Sequence, residues 1–457
     1  MKIIILGAGQ VGGSLALSLA NEDNDITVVD MNAEILRETS DRADLHTVLG
    51  EASHPSVLER AGAKDADMVI ALTNSDETNM VACQVAYTLF HTPTKIARIR
   101  AVEYLNYSDL FVQEALPVDV LISPEHLISQ YIQRLIEHPG SLQVLDFADG
   151  KIKLLAMRVS LSDALVGKKP AQLAELIPES VMKIVAIYRN NNSVELNAST
   201  RIEGNDEVFF LASAADAAEL TSYFRGSKKP YKRVLLAGGG NIGFHLAQAL
   251  ESKFQVKIIE RDSERARELS ESLDKTIVLQ GDAADQDMLV EENIENMDVF
   301  CALTNDDEAN ILSAMLAKRI GANKVMSLIN RPSYVELVES GTIDIAISPQ
   351  QVTLGTLLAH VRKGDIVAVH SLRRGAAEAI EVIAHGDEKT SKVVGRSIEE
   401  INLPKGATIG AIARDEEVIM AEADTTIEAE DHVIMFLADK SGVKETEQLF
   451  QVSATFI

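Results

Sequence analysis

The sequence predicts an α/β protein: two tandem doubly wound domains with parallel sheets, each followed by a small α+β module. Three observations carry this. Short apolar strands alternate with helical patterns through the first 125 residues, the pattern of a parallel sheet covered on both faces. The strand Ile3–Leu6 breaks into Gly7-x-Gly9-x-x-Gly12 and then a helical stretch carrying Leu15, Leu19 and Ala20. The arrangement also occurs twice: Gly7 and Gly238, Gly50 and Gly281, and Thr73 and Thr304 each lie 231 residues apart.

Each element has its reason. In a strand–turn–helix setting Gly7 permits a tight turn, Gly9 lets the backbone approach a pyrophosphate, and Gly12 lets the helix lie close on the strand. The free N–H groups and positive dipole end of that helix then face phosphates. The second strand, Ile26–Val29, ends in Asp30, 23 residues after Gly7, where a carboxylate accepts the hydroxyls of an adenosine ribose. A helix over Ala33–Arg42, a strand over His46–Leu49 ending in Gly50-Glu51, and a helix after Pro55 follow. A fourth strand, Asp67–Leu72, runs into Thr73-Asn74-Ser75-Asp76-Glu77-Thr78-Asn79 and a long helix to about Phe90. The series closes with a strand over Lys95–Arg100, a helix to about Ala115 and a strand over Val118–Ile122. Such Rossmann-like sheets bind ligands beyond the carboxyl ends of their strands, where the glycine turn, Asp30, Glu51, Thr73 and Asn74 converge. Ser75 or Asp76 is placed to cap the long helix. The acids Asp76-Glu77 and Asp306-Asp307-Glu308 read as first-turn partners of a helix dipole rather than metal ligands.

A helix over Leu127–Glu137 has a broad apolar stripe and is expected to pack against another domain or subunit. From Ser141 the texture changes to strands over Val144–Phe147, Lys153–Val159, Met182–Arg189 and Glu207–Leu211. Helical stretches at Lys169–Leu176 and Ala214–Tyr223 and turns at Asn190–Asn192 and Gly204–Asp206 separate them. After the linker Gly226–Pro230 the first turn returns as Gly238-Gly239-Gly240-Asn241-Ile242-Gly243, the acid-ended strand as Lys257–Glu260, and Ala71-Leu72-Thr73-Asn74 as Ala302-Leu303-Thr304-Asn305. Ile122-Ser123-Pro124 returns as Ile347-Ser348-Pro349. The expected domains are 1–124, 140–228, 232–349 and 364–457.

A net charge of −26 argues against nucleic acid and against direct contact with anionic lipid. Cys83 and Cys301, the only cysteines, cannot form a disulfide framework and read as core thiols in a reducing cytosol. No apolar run approaches the roughly 20 residues of a membrane helix, and no signal-like start is seen. The expectation is a soluble intracellular protein that meets a membrane only through a partner. Asp30 and Glu260 would repel a 2′-phosphate, favouring NAD(H) or an adenine nucleotide over NADP, although Arg261 weakens that exclusion in the second half. No metal spacing, nucleophile elbow or Walker loop is present, and the ten histidines share no placement between halves. A duplicated binding domain without catalytic groups reads as a sensor. The alternative of an NAD-dependent oxidoreductase needs a proton donor beside the hydride site; a scaffold with vestigial crevices is the third reading.

The doubled set of glycine turn, acid-ended strand, Gly50-Glu51, Ala-Leu-Thr-Asn-x-Asp-Glu-x-Asn block, Ile-Ser-Pro and small module closely resembles the RCK/KTN family, the ligand-gated regulators of potassium channels and transporters. The resemblance spans essentially the whole chain. It implies RCK N-terminal (Rossmann-like) and RCK C-terminal domains in alternation, and a ring built as a homotetramer. That ring would sit beneath a membrane potassium-translocating subunit on the cytoplasmic face of the inner membrane, with NAD(H) and ATP or ADP as ligands. By the same resemblance Gly7, Ala8, Gly9, Gln10 and Val11 hold phosphates beside Gly12, Asp30 holds ribose, Thr73 and Asn74 line the crevice, and Arg98 meets a phosphate or the base. In the second half Gly238, Gly239, Gly240, Asn241, Ile242, Gly243, Glu260, Arg261 and Thr304 correspond. Two departures stand out. Glu51 replaces the commoner Asp, kept as Asp282. Aligning Lys95 with Lys324 puts Ser327 where Arg98 stands, leaving the second site without that charge unless Arg331 supplies it. The two sites are therefore expected to differ in ligand or affinity.

Overall fold

The computed structural model describes residues 1–20, 24–173, 182–190, 192–225, 230–339, 341–362, 365–372, 376–438 and 442–452. The first half opens with six strands, β1 (Lys2–Leu6), β2 (Asp25–Asp30), β3 (His46–Leu49), β4 (Met68–Ala71), β5 (Thr94–Arg98) and β6 (Val120–Ile122). They pair in the order β3-β2-β1-β4-β5-β6, all parallel. The strand order reverses between β1 and β4, which opens a crevice at their carboxyl ends. Helices α1 (Gln10–Ala20), α2 (Ala33–Ser40), α3 (Pro55–Arg60), α4 (Asp76–Phe90) and α5 (Val102–Leu105) connect the strands. Alternate residues of β1 serve opposite faces. Ile4 and Leu6 join a core with Leu58 of α3 and Met80, Cys83 and Ala86 of α4, while Ile5 lies under α1. Burial on both faces explains why β1 is the run Ile3-Ile4-Ile5-Leu6 and why the cores of β2 and β4 are largely apolar.

The helix expected to reach Ala115 does not form. α5 ends at Leu105, and only a 3-10 turn at Ser108–Leu110 follows. Asn106 and Asp109 have side chains that compete for backbone hydrogen bonds and favour turns over a helix interior. Of the helix expected over Lys169–Leu176, the described part is a 3-10 turn at Pro170–Gln172; residues 174–176, Asn191 and most of the linker at 226–229 lie outside the described residues.

α6 (Pro124–Glu137) leads to a five-stranded antiparallel sheet of β7 (Ser141–Phe147), β8 (Ile152–Arg158), β9 (Met182–Arg189), β10 (Asn192–Val194) and β11 (Glu207–Ser213), ordered β10-β9-β11-β8-β7 and followed by α7 (Ala214–Arg225). The second half repeats both parts. β12 (Arg233–Ala237), α8 (Asn241–Leu250), β13 (Gln255–Glu260), α9 (Ser263–Ser272), β14 (Ile277–Gln280), α10 (Gln286–Glu291), β15 (Val299–Ala302), α11 (Asp307–Ile320), β16 (Lys324–Leu328), α12 (Pro332–Glu339) and β17 (Ile345–Ile347) form a parallel sheet ordered β14-β13-β12-β15-β16-β17. After α13 (Pro349–Val361) come β18 (Ile366–Leu372), β19 (Ala377–Ala384), β20 (Ala407–Arg414), β21 (Glu417–Met420), β22 (Asp431–Leu437) and α14 (Val443–Phe450), with sheet order β18-β19-β22-β20-β21. That is the order of the first small module. Each module also carries the same clasp: Arg189 donates to both oxygens of fully buried Asp206 at 2.8 and 2.9 Å, and Arg414 to those of Asp431 at 2.8 Å.

The chain packs as two compact units, Met1–Ile128 with Pro349–Leu357, and Ser129–Ser348 with Leu358–Ile457. Within the first, Gln350 of α13 donates to Ser14 of α1. Within the second, Glu137 at the end of α6 pairs with Lys253 at 2.8 Å, and the apolar stripe of α6 is buried at Ile132, Leu135 and Ile136. The two small modules also meet there. Phe209 packs against Phe436, and a Cβ on Gly410 would lie 2.3 Å from Leu211 Cδ1.

Candidate functional site

Both glycine turns sit at the crevice mouths. Gly7 and Gly238 have φ of +100° and +109°, a region closed to most side chains. A Cβ on Gly12 would lie 2.0 Å from the Gly7 carbonyl oxygen, and one on Gly243 2.1 Å from that of Gly238, so the first turns of α1 and α8 press on the glycine turns themselves. A Cβ on Gly9 or Gly240 would meet nothing within 4 Å. That open space over exposed backbone is what a diphosphate needs. Gln10 and Asn241 are exposed beside it, with Val11 and Ile242 half-buried.

The acids at the ends of β2 and β13 bind the turns from below. Asp30 accepts the Ala8 amide at 2.7 Å and the Asn32 amide at 2.8 Å. Glu260 accepts Gly239 at 2.7 Å and Asp262 at 2.8 Å. Each carboxylate oxygen keeps a further lone pair for a ribose hydroxyl. The longer Glu260 comes with compensations. A Cβ on Gly239, the counterpart of Ala8, would lie 2.2 Å from Leu269 Cδ1 and 3.1 Å from Glu260 Oε2. Leu269 occupies the helix position that Thr39 holds in α2. Arg265, at the position of Ile35, donates to the Gly239 carbonyl at 2.9 Å and lies over Phe244. The sequence reading missed Arg265; a charge unmatched in the other half was its signal. Arg261 is exposed.

At the end of β4, Thr73 is organised by Asn79, which is fully buried. Asn79 Oδ1 accepts from the Thr73 amide at 3.0 Å and its hydroxyl at 2.7 Å, while Nδ2 donates to the carbonyls of Thr73 and Arg98. Asn310 repeats this with Thr304 and the Leu328 carbonyl. The doubling of Asn79 in the repeated block was the signal for this role. Ser75 caps α4 through the Thr78 amide and Asp306 caps α11 through Ala309. Asp76 does more than face a dipole: it is buried and accepts the Arg100 and Ala101 amides. Asn74 is exposed, and its carbonyl receives Arg100. Glu51 is half-buried at the end of β3, and Asp282 accepts the Ala284 amide at 2.8 Å.

Arg98 faces Glu125 on α6, Nη2 to Oε1 at 3.4 Å. Its counterpart is Leu328, not Ser327. Ala97 pairs with Ala71 as Ser327 pairs with Ala302, and the Asn79 bond to Arg98 is repeated by Asn310 to Leu328. α11 is one residue shorter than α4, so matching the two lysines slips the register by one. Leu328 is buried and uncharged. Arg331 does not fill the gap: it pairs with Glu308 at 3.0 Å and hydrogen-bonds and stacks on Tyr334. Burial pushes the Cys83 thiol up to about 12 and raises that of Cys301. Among the described residues no group of three or more His, Cys, Asp or Glu is placed to hold a metal, and no helix is long and apolar enough to cross a membrane.

The TrkA-N domain family model matches residues 3–124 and 234–349, and the TrkA-C domain model residues 388–451. Proteins named Trk system potassium uptake protein TrkA from Halomonas elongata and Vibrio alginolyticus are each 57% identical over the full length of both chains. Among solved structures, the GsuK channel bound to NAD aligns over 98% of this chain and 78% of its own with a TM-score of 0.60 and 17% identity, a likeness of fold. With domain matches over more than half its length and full-length relatives at that identity, the chain belongs to the TrkA family of Trk system potassium uptake proteins.

Proposed function

We propose that the chain is a non-enzymatic regulatory subunit that binds NAD(H) and ATP or ADP in two crevices and thereby gates a membrane potassium-translocating partner. The observation that carries the reading is the doubled crevice: an open glycine turn whose second residue is tied to a strand-end acid, Ala8 to Asp30 and Gly239 to Glu260. The turn amides would hold a diphosphate and the acid a ribose. Thr73, Asn74, Glu51 and Arg98 line the first crevice and Thr304, Asp282 and Arg261 the second. The names of the full-length relatives support the potassium-uptake setting, and the NAD-bound GsuK fold supports the ligand class. The boundaries 1–124, 140–228, 232–349 and 364–457, assembly as a homotetramer and a place on the cytoplasmic membrane face through the partner belong to the same proposal. The strand-end side chains favour sensing over catalysis. Thr73, Asn79, Thr304 and Asn310 spend their polar groups on local hydrogen bonds, and Leu328 is apolar. A ligand then acts by binding two states of the assembly unequally.

Calorimetric titration of the full chain with NADH, NAD⁺, ATP and ADP tests this. Two separable binding events are expected, one lost in Asp30→Ala and the other in Glu260→Ala. No binding in either half would refute it. Substrate-dependent NADH turnover would favour the oxidoreductase reading.

A further inference from the structure

We infer that the inner faces of the two small modules are keyed to each other, so that a first module accepts a second module and rejects another copy of itself. The inference rests on the fold alone and stands apart from the nucleotide reading. The clasp residues Arg189 and Arg414, and Asp206 and Asp431, set an offset of 225 residues between the modules. At that offset Val185 corresponds to Gly410. Each is the bulged residue of its strand: the pairing of β9 with β11 skips Val185, and the pairing of β20 with β22 skips Gly410. Bulges re-aim the chain locally, and these two meet at one point. A Cβ on Gly410 would lie 2.8 Å from Val185 Cγ1 and 2.3 Å from Leu211 Cδ1. A residue that meets its own counterpart marks the axis of a two-fold pair, where a symmetric dimer would set identical side chains face to face. This pair instead sets a buried valine against a glycine.

Like does not fit like. Two first modules would bring valine to valine at a seam where even one added Cβ collides, and a close-packed interior has no slack to absorb it. Two second modules would bring glycine to glycine and lose the valine from the seam. The ties around the axis are one-sided as well. Lys151 donates to the Asp415 carbonyl at 2.6 Å and to Glu416 at 3.0 Å, and Lys183 donates to the Ala421 carbonyl. At the same offset these lysines become Ala376 and Thr408. Buried Glu381 accepts the Ala148 amide at 2.8 Å, and His370 donates to the Asp146 carbonyl at 3.3 Å. These two correspond to Ala156 and Leu145. A pair of second modules would lack the lysine ties, and a pair of first modules those of Glu381 and His370. Across the seam the first module offers Lys151 and Lys183 and the second offers Glu416 and Glu422, a complementarity that selects unlike partners and disfavours like ones. These faces are thereby closed to self-association between chains, and assembly of copies has to use other surfaces.

Full-length protein carrying Val185→Cys, Gly410→Cys or both is oxidised with copper–phenanthroline and run on a gel without reductant. The native Cys83 and Cys301 are buried, and the unsubstituted protein sets their background. The double variant is expected to form a 185–410 disulfide, identified by peptide mass. Neither single variant should yield covalent dimers above the background. Covalent dimers from either single variant mean that like faces meet and overturn the proposal, as does a folded double variant without the 185–410 disulfide. A second measurement reads the packing itself. Gly410→Ala and Val185→Ala are each expected to lower the melting temperature. The variant carrying both should fall by less than the two shifts combined, because losing the valine makes room for the new methyl. Additive shifts in variants that keep the native circular dichroism spectrum overturn the fit of valine to glycine.

Discussion

Asn79 offers the sharpest test of how the first crevice is built. It is fully buried and makes four hydrogen bonds, at 3.0 and 2.7 Å to the Thr73 amide and hydroxyl and at 3.3 and 2.9 Å to the carbonyls of Thr73 and Arg98. Asn79→Ala removes all four and leaves the Thr73 amide and Arg98 carbonyl without this partner. At a net contribution of about 1 kcal/mol per bond, with a larger penalty where a buried group goes unsatisfied, the loss is about 3–4 kcal/mol. That is a large fraction of a domain's typical stability of about 5–15 kcal/mol. Urea unfolding of the full chain, followed by circular dichroism, should show the transition of the unit containing Asn79 moving to lower denaturant. Asn310→Ala should move the other transition and leave the first in place. Nucleotide affinity at the first crevice should fall as well, since Asn79 ties the end of β4 to that of β5. A loss below about 1 kcal/mol would refute the view that this residue organises the strand ends.

Gly12→Ala forces a Cβ against the Gly7 carbonyl at 2.0 Å and should abolish the binding event assigned to Asp30, with a destabilisation of about 1–3 kcal/mol from overpacking, read by calorimetry and melting. Gly243→Ala should do the same for the other event. Burial, and secondarily Arg134, pushes His370 down to about 4 from 6.5, opposed by Asp146, while its ring meets the edge of Phe147. The folded protein thus binds fewer protons than the unfolded chain below pH 6.5, so this stabilisation is complete above that pH and is lost progressively as pH falls towards 4. At about 1.4 kcal/mol per unit it amounts to up to ~3 kcal/mol, and His370→Gln should flatten the pH dependence of the urea midpoint in that window. Because burial raises both thiols, an aromatic disulfide reagent should leave Cys83 and Cys301 unlabelled in the native protein and react with both after denaturation.

The fold was legible because its signals are doubled and strong: apolar strands with glycine turns, acids at strand ends, and a 231-residue spacing shared by Gly7 and Gly238, Gly50 and Gly281, and Thr73 and Thr304. The slip at β16 shows where legibility stopped. Lys95 is buried and paired with Asp119 at 2.8 Å, whereas Asp344, the counterpart of Asp119, takes its cation from Lys318 on α11. The acid was kept and the lysine came from a different element, so matching Lys95 to Lys324 followed residue identity rather than pairing register. Arg265 was missed for another reason: it gains its role from Gly239, distant in sequence, and only the lack of a matching charge at Ile35 pointed to it. The end of the helix beyond Leu105 was lost to polar side chains whose preference for turns outweighed a weak apolar periodicity.

The paired exchange of Ala8, Asp30 and Thr39 for Gly239, Glu260 and Leu269 has an evolutionary consequence. The second half cannot take the first half's residue at 239 without a change at Leu269. An alanine at 239 would place its Cβ 2.2 Å from Leu269 Cδ1. Gene conversion between the two copies would have to carry a tract from the turn through the following helix to remain viable. Gly239, Glu260 and Leu269 thus constrain one another, and a substitution at one of them is expected to be tolerated only with a matching change at its neighbour.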